Sequence, residues 1–510
     1  MQKKPSAEEI VNYASEKTAF VNADALQLLS EAGDYKKIID ELLAEGIFEI
    51  SRDKVSEKIA KSRAKINVLE TPIIEIRHEK FRPEARESSG KVKILEEYDV
   101  TGQSFSSGSV KDFLNYFRVK FEMLSEILMQ HPGMSPKSIS SLHNMRIGSE
   151  GRKEFDVIGM VKDKWVSKKG HLILQLEDLE AECVAVIPKD DLELTRIAGN
   201  VLPDNVICVR AVKGNQGMII AKGIVFPEVP QREFPKIENE ASIAVTADVH
   251  MGSKLFLEES FRRFLAWING SIGSEKEAER AGKIKYLVFA GDNVDGVGIY
   301  PEQFDELGIK DIYEQYAEFE KLIMQIPEYV EIIICPGQHD AVRRADPQPA
   351  IPKEFVPNLS KMSNVHFVGS PGWFEIEGLK CLVYHGASLH DLISSVTTLS
   401  SAKPEKVMVE ILKRRDLMPT YGLRQPYVPE KKDFMVMKEV PDLYFGGDMH
   451  HVGYERYRGT TVVNAGTWQS QTPYQLNLGH IPTPGIVPTI DLRKNSIREA
   501  HFIGQELQGV

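Results

Sequence analysis

The stretch YVEIIICPGQHD, residues 329–340, passes from an apolar run into a Pro-Gly turn that ends in Gln338, His339 and Asp340. A short continuous apolar run closed by a turn is what a strand buried on both faces looks like in sequence. Gln, His and Asp placed at the end of such a strand make the turn either a corner of the fold or part of a metal-dependent site. The choice depends on whether the pattern recurs.

It recurs at four other strand-like segments between residues 241 and 453. ASIAVTADVHMGS (241–253) leads into Asp248 and His250, and KYLVFAGDNVDGVG (285–298) presents Asp292 and Asp295. KCLVYHGAS (380–388) ends in His385, and DLYFGGDMHHVG (442–453) supplies Asp448, His450 and His451. Each follows apolar residues and is flanked by glycine, which lets the backbone turn sharply and brings side chains together at one sheet edge. Carboxylates and imidazoles together suit first-row divalent ions, and a carboxylate between two such ions bridges them. A lone Asp or His at a strand end is most often a cap or a surface residue; five clusters in order are hard to ascribe to turns.

Outward from this region, 510 residues exceed one compact core, so two or three domains are expected. Residues 1–50 read as a helical module: Ser6 and Glu9 have capping-box spacing, Ile10, Val11, Tyr13 and Ala14 form a stripe, and a helix from Asp34 to Leu43 ends at Gly46. Residues 51–105 are charged and poor in aromatics, which predicts a flexible linker. Within 106–135 the segment SVKDFLNYFRVKFEMLSEILMQ predicts an amphipathic helix with Phe113, Phe117, Phe121, Leu124 and Leu128 on the face packed against the barrel or the catalytic domain.

Residues 150–230 hold five strand-like runs, FDVIGMV, HLILQLED, ECVAVIP, VICVRAV and MIIAKGIVF, with a helical piece before the fourth and the turn KGNQG before the fifth. That pattern predicts an oligonucleotide-binding-type β-barrel. Trp165, Lys164, Lys168 and Lys169 on its first hairpin are either a DNA contact or a solvated loop. The proline-bearing VFPEVPQREFPKIENE marks a boundary, and from 240 to 505 strands alternate with helices as in a layered α/β domain.

No apolar run approaches the length of a membrane span and MQKKPSAEEI is no signal peptide, so a cytoplasmic location without membrane is expected. The cysteines, Cys183, Cys208, Cys335 and Cys381, lie in or beside apolar runs and read as buried thiols. With a net charge of -11 the surface repels a polyanion, so nucleic-acid binding needs a basic patch, metal ions or a partner.

The five motifs, in the form Asp248-Val-His250, Gly291-Asp292-Asn-Val-Asp295, Gly337-Gln338-His339-Asp340, His385 and Gly447-Asp448-Met449-His450, resemble the signature of the calcineurin-like metallophosphoesterases. GDNVDGVGIYPEQ, CPGQHDAVRRADPQPA, LMPTYGLRQPYVPE and WQSQTPYQLNLGHIPTPG extend the likeness to the small subunits of archaeal family-D DNA polymerases, from about residue 105 onward. The resemblance implies a multidomain α/β protein: a helical module, an oligonucleotide-binding-type barrel and a phosphoesterase domain built as a β-sandwich flanked by helices.

It also implies two divalent ions, manganese or else magnesium. Asp248, His250, Asp292 and His450 would hold one; Asp292 would bridge to a second held by Gln338, His385 and Asp448. His339 would face the phosphate, with Asp340 holding its imidazole. Asp295 is expected behind the ligands or as a turn cap, His451 is an alternative to its neighbour should the last loop shift, and His390 and Asp391 have no metal role. Two positions depart from the family: Gln338 replaces Asn and Asp448 replaces His, both at the second ion.

The implied activity is 3′-to-5′ exonuclease proofreading within a two-subunit replicative DNA polymerase. Its partners would be the large catalytic subunit, DNA with single-stranded or mismatched 3′ ends, and the sliding clamp. Arg343, Arg344 and Arg424, and with them Lys413, Arg414 and Arg415, are candidate contacts to DNA phosphates. The alternatives are a scaffold subunit with a weak or dead site and a free-standing phosphoesterase.

Overall fold

The computed structural model describes residues 6–56, 81–143 and 153–503, apart from 18, 32–34, 45, 46, 48, 53, 89, 215, 216 and 478. Residues 57–80 of the expected linker, Asp34 at the start of the expected helix and Gly46 at its stop, the centre of the KGNQG turn and the domain end at 505 lie outside the described residues.

Two compact units divide the chain, one within residues 1–74 and one over 75–502. In the first, helices Ala7–Glu16, Ala23–Glu31 and Tyr35–Ala44 accompany a short parallel pair, β1 (Phe20–Val21) and β2 (Glu49–Ile50). Ser6 and Glu9 form the capping box. Ile10, Ala14, Leu29, Ile39 and Leu42 build a small core, while Val11 from the expected stripe stays exposed.

The second unit begins with a segment that departs from the flexible linker predicted for 51–105. Strand β3 (Lys93–Ile94) joins a sheet, and Ala85, Leu95 and Val100 are buried. A polar composition hid it because so few residues are needed to hold an edge strand: Asp99, itself buried, accepts from Gly369 N at 2.7 Å.

Five strands, β4 (Phe155–Val166), β5 (Leu172–Glu177), β6 (Glu182–Ile187), β7 (Val206–Lys213) and β8 (Ile219–Val225), close into a barrel in the order β4-β5-β6-β8-β7. Helix Leu192–Gly199 precedes the fourth strand, as expected. Alternate residues such as Val157, Leu174, Leu176, Ala185 and Val209 fill the interior.

The remaining strands are β9 (Ser242–Thr246), β10 (Ile284–Ala290), β11 (Glu331–Cys335), β12 (Val365–Phe367), β13 (Gly372–Ile376), β14 (Leu379–Val383), β15 (Leu443–Gly446), β16 (Gly453–Tyr457), β17 (Thr460–Asn464), β18 (Ile486–Asp491) and β19 (Ser496–His501). They form two six-stranded sheets, β12-β11-β10-β9-β18-β19 and β16-β17-β15-β14-β13-β3.

The two-residue side-chain period of a strand explains the layering. Tyr286, Val288 and Ala290 of β10 meet Cys381 and Val383 of β14 in a core between the sheets. Leu287 and Phe289 point the other way, into helices Glu258–Ile268 and Ile312–Ile323. Leu382 and Tyr384 turn likewise towards helices Leu389–Ser395 and Pro404–Arg414. Strands buried on both faces read as unbroken apolar runs, which is why YVEIII shows no alternation.

Helix Val110–Met129 is capped by Ser109 and Asp112 as expected, but its buried face is Tyr116, Lys120, Leu124, Ile127 and Leu128. The stripe predicted through Phe113, Phe117 and Phe121 is rotated because a charged residue sits at its centre. Lys120 is fully buried, 2.7 Å from Asp416 Oδ2 and 3.0 Å from the Met418 carbonyl. The helix contacts both candidates at once: Leu124 and Leu128 lie against Ile158, Met160 and Cys208 of the barrel, and Tyr116 against the core around Leu412 and Tyr427. All four cysteines are buried and free. Among the described residues no helix is long and apolar enough to cross a membrane.

Candidate metal centre

The C-terminal ends of β9, β10 and β11 of one sheet and of β14 and β15 of the other deliver the five motifs to one edge of the sandwich. Parallel strands make this possible, since their ends lie side by side. Asp248, His250, Asp292, Asp448 and His450 all have φ between 49° and 64°, a region that costs ordinary residues energy. Such clustering marks a backbone bent to aim side chains.

Glycines make the close approach possible. A Cβ at Gly337 would fall 2.2 Å from Asp292 Oδ1, and one at Gly291 would fall 2.3 Å from His385 Nδ1. At Gly447 it would meet Asp248 Oδ2 at 2.8 Å.

Asp248, His250 and His450 bring one ligand atom each within 4.8 Å of one another, as do Asp248, Asp292 and His385, and His250, Asp292 and His339. Asp248, His250 and Asp292 each belong to two of these groups, so the three groups share ligand atoms and form one continuous cluster. His385 Nε2 lies 3.2 Å from Asp292 Oδ2 and 3.7 Å from Asp448 Oδ1. His450 Nε2 lies 3.3 Å from Asp248 Oδ1 and 3.1 Å from His250 Nε2.

Second partners orient the rings. His250 Nδ1 is 2.9 Å from Asp295 Oδ1, and His385 Nδ1 donates to the Ala290 carbonyl at 2.7 Å, which turns Nε2 of both rings inward. Asp295 therefore stands behind the site. His450 Nδ1 contacts Gln475 Nε2 at 2.8 Å, a partner within the stretch WQSQTPYQLNLGHIPTPG that the spacing of the five motifs did not single out.

The donor set fits a cation. Asp248 Oδ1, Gln338 Oε1 and His385 Nε2 are buried without a hydrogen bond, and an unpaired buried polar atom costs about 1–3 kcal/mol. Burial pushes the Asp292 carboxyl up, but the rings of His385, His339 and His250 outweigh it and hold this group well below the usual carboxylate range. Burial also raises Asp448, and His390 and His385 beside it bring it down to about 2. His390, read from sequence as having no metal role, lies 3.0 Å from Asp448 Oδ2. His451 Nδ1 is buried without a partner and joins none of the ligand groups.

The third turn differs in detail from expectation. Asp340 does not hold His339: its carboxylate accepts from Gly337 N at 2.9 Å, Asn293 Nδ2 at 3.0 Å and Tyr316 OH at 2.8 Å. It ties the third turn to the second, and burial, with the charge of Asp292, pushes it up to about 6. The His339 ring is held instead by the Asp295 carbonyl, 2.7 Å from Nδ1, and its backbone N donates to Asp292 Oδ1 at 2.9 Å.

Basic residues divide sharply. Arg343 pairs with buried Glu430 at 2.9 Å and donates to the Pro347 carbonyl, so its guanidinium is a structural clamp. Arg414 binds Glu410 and the Asn200 carbonyl, Arg415 donates to the Met437 and Lys438 carbonyls, Lys413 pairs with Glu410, and Lys164 caps the Gly199 and Val201 carbonyls. Arg344 and Arg424 remain exposed.

A multidomain α/β chain that carries a carboxylate–imidazole cluster at the strand ends of a sandwich, beside a closed five-stranded barrel, is the class these features define. Residues 243–453 match the family of the B subunits of DNA polymerases alpha and epsilon. The chain is 37% identical over 448 residues to the DNA polymerase II small subunit of Methanocaldococcus jannaschii, covering 88% of this chain and 73% of that one. It is 36% identical over 471 residues to the DNA polymerase II small subunit of Archaeoglobus fulgidus, covering 92% of each. The chain belongs to this family of DNA polymerase II small subunits. Among solved structures, an archaeal phosphodiesterase aligns over 51% of this chain and 98% of its own, with 16% identity and a TM-score of 0.25.

Proposed function

We propose that this subunit is the proofreading nuclease of a two-subunit DNA polymerase, removing 3′-terminal nucleotides by metal-dependent phosphodiester hydrolysis on a calcineurin-like domain. The observation that carries the reading is that buried ligand atoms without a hydrogen bond, Asp248 Oδ1, Gln338 Oε1 and His385 Nε2, gather at one sheet edge. A merely structural corner has no use for them. Asp248, His250, Asp292 and His450 would hold one ion, and Asp292, Gln338, His385 and Asp448 a second, manganese or magnesium. Bound there, the ions would supply an activated water at neutral pH and charge neutralisation on the phosphate.

The chain's own residues do the rest. Asp295 orients His250 through its carboxylate and His339 through its carbonyl, so one residue positions a ligand and the candidate acid together. With Nδ1 engaged, His339 is left with Nε2 to hold a proton for the departing 3′-oxygen. Arg344 and Arg424 are the exposed cations for the strand's phosphates, and the large polymerase subunit would supply most of the grip that an acidic chain lacks.

A second reading has a specific observation behind it. His390 pairs with Asp448, and a cation at the second site would have to compete with that pair. Together with Gln338, this favours a weak second site and a subunit that acts mainly as a scaffold.

The test is a 3′-mismatched, 5′-labelled primer-template with manganese, the chain alone and with its large subunit, in parallel with His339→Ala. Stepwise shortening that the variant loses supports the nuclease. No shortening in either setting, while the complex still extends primers, leaves the scaffold.

A further inference from the structure

The loop that follows β10 carries more than Asp292 and Asp295. Beyond those residues it displays rings to solvent: Tyr300 is 37% exposed and Phe304 52%. The backbone beneath is nevertheless firmly held. Buried Gln315 accepts from Gly296 N at 2.8 Å and donates to the Ile309 carbonyl at 2.8 Å; buried Gln303 accepts from Ile299 N at 2.8 Å and donates to the Asp295 carbonyl at 2.7 Å. Gly296, at φ 72°, presses on the third motif so closely that a Cβ would lie 2.3 Å from the His339 carbonyl oxygen.

On this frame the Tyr300 ring is fixed at its far end, where the hydroxyl donates to Glu306 at 2.7 Å, and its centroid lies 6.1 Å from that of His339. Arg344, exposed, donates to the carbonyl of Ile299, the residue before it. Phe304 differs, because the Lys310 ammonium sits 4.2 Å over its ring.

Carboxylates at Glu302, Asp305 and Glu306 deter a phosphate from settling on this loop, and a partly exposed ring among them suits a neutral base. We infer that Tyr300 is a stacking platform for the base of an unpaired 3′-terminal nucleotide whose phosphodiester lies beside His339, with Arg344 contacting the strand's backbone. The assignment rests on the nuclease reading above and names the substrate feature that reading lacks. Stacking is indifferent to base identity, and the cost of leaving the duplex is least for a mismatched end. A rigid platform of this kind therefore selects mismatched ends without reading sequence.

The experiment uses the full chain with its large subunit and manganese. Single strands labelled at the 5′ end carry either an ordinary 3′-terminal nucleotide or a 3′-terminal abasic residue. Tyr300→Ala is expected to raise KM for the ordinary strand roughly 5- to 150-fold, the range for loss of one base–aromatic stack, and to leave the abasic strand unchanged. Tyr300→Phe, which keeps the ring and loses the bond to Glu306, should fall between Tyr300→Ala and wild type on the ordinary strand and match wild type on the abasic one. Equal KM for Tyr300→Ala and wild type on the ordinary strand overturns the platform while the nuclease stands.

If wild type cleaves neither strand, the nuclease reading fails and the platform is decided by binding. A strand ending in 2-aminopurine should then be quenched by wild type and Tyr300→Phe but not by Tyr300→Ala. Equal quenching by all three, or none by wild type, overturns it.

Discussion

His385 donates from Nδ1 to the carbonyl of Ala290 at 2.7 Å, and this bond across the two sheets leaves Nε2 facing Asp292 at 3.2 Å. Beyond this ion-pair contact Nε2 makes no well-aligned hydrogen bond. His385→Ala is expected to lower the manganese retained after dialysis by about one equivalent per chain, read by elemental analysis. Unchanged metal content would remove His385 from the ligand set.

Gly337 is required by distance rather than by φ. In Gly337→Ala the new methyl would meet Asp292 Oδ1 at 2.2 Å and His385 Cδ2 at 2.7 Å, so the bridging carboxylate must move. Overpacking of this kind costs about 1–3 kcal/mol, and metal binding should weaken well beyond what that loss explains. Calorimetric titration with manganese beside a thermal melt separates the two; a variant that binds as wild type does would contradict the site geometry.

Lys120 and Asp416 form a fully buried pair at 2.7 Å where helix Val110–Met129 meets the sandwich. Lys120→Met leaves Asp416 charged and unpaired, so denaturant unfolding of the second unit should lose about 3–5 kcal/mol. A loss under 1 kcal/mol would mean that water reaches the pair.

Beside that pair, burial and the charge of Asp416 push Asp433 up to about 7. The folded protein thus binds a proton more tightly than the unfolded chain, whose carboxyl titrates near 4, and stability must fall as pH rises between the two values. Asp433→Asn removes this dependence: its melting temperature relative to wild type should climb from pH 4 to pH 7 and then level off. A difference that stays flat across that window would refute the assignment.

Arg343 and Arg424 should separate in their effects. Arg343→Ala strips the buried Glu430 of its cation, so the melting temperature should fall, whereas Arg424→Ala should leave the melt unchanged and weaken DNA binding with a shallower salt dependence. The reverse outcome would exchange the two roles.

Much of the site is legible in the sequence because a chemical motif and the strand before it are local. Asp248, His250, Asp292, His385 and His450 meet at the edge their spacing predicts, and the capping boxes at Ser6 and Ser109 form as written. Asp340, Arg343 and His390 escape such a reading for one reason: each has a partner, Asn293, Glu430 or Asp448, more than 45 residues away, and no periodicity records such a pairing. The linker prediction fails over 81–105 because the residues that anchor it, Ala85, the edge strand, Leu95, Asp99 and Val100, are scattered among polar ones, too sparse for composition to register.

The order of elements, the doubly buried strands and the chemical type of the centre are determined by the sequence alone, since apolar runs and turn residues act over a few positions. The tertiary structure decided which nitrogen of each histidine faces the site, which arginines stay exposed and which face of helix Val110–Met129 is buried. Those outcomes depend on hydrogen bonds and ion pairs between elements far apart in the chain, whose energies arise only once the sheets have packed.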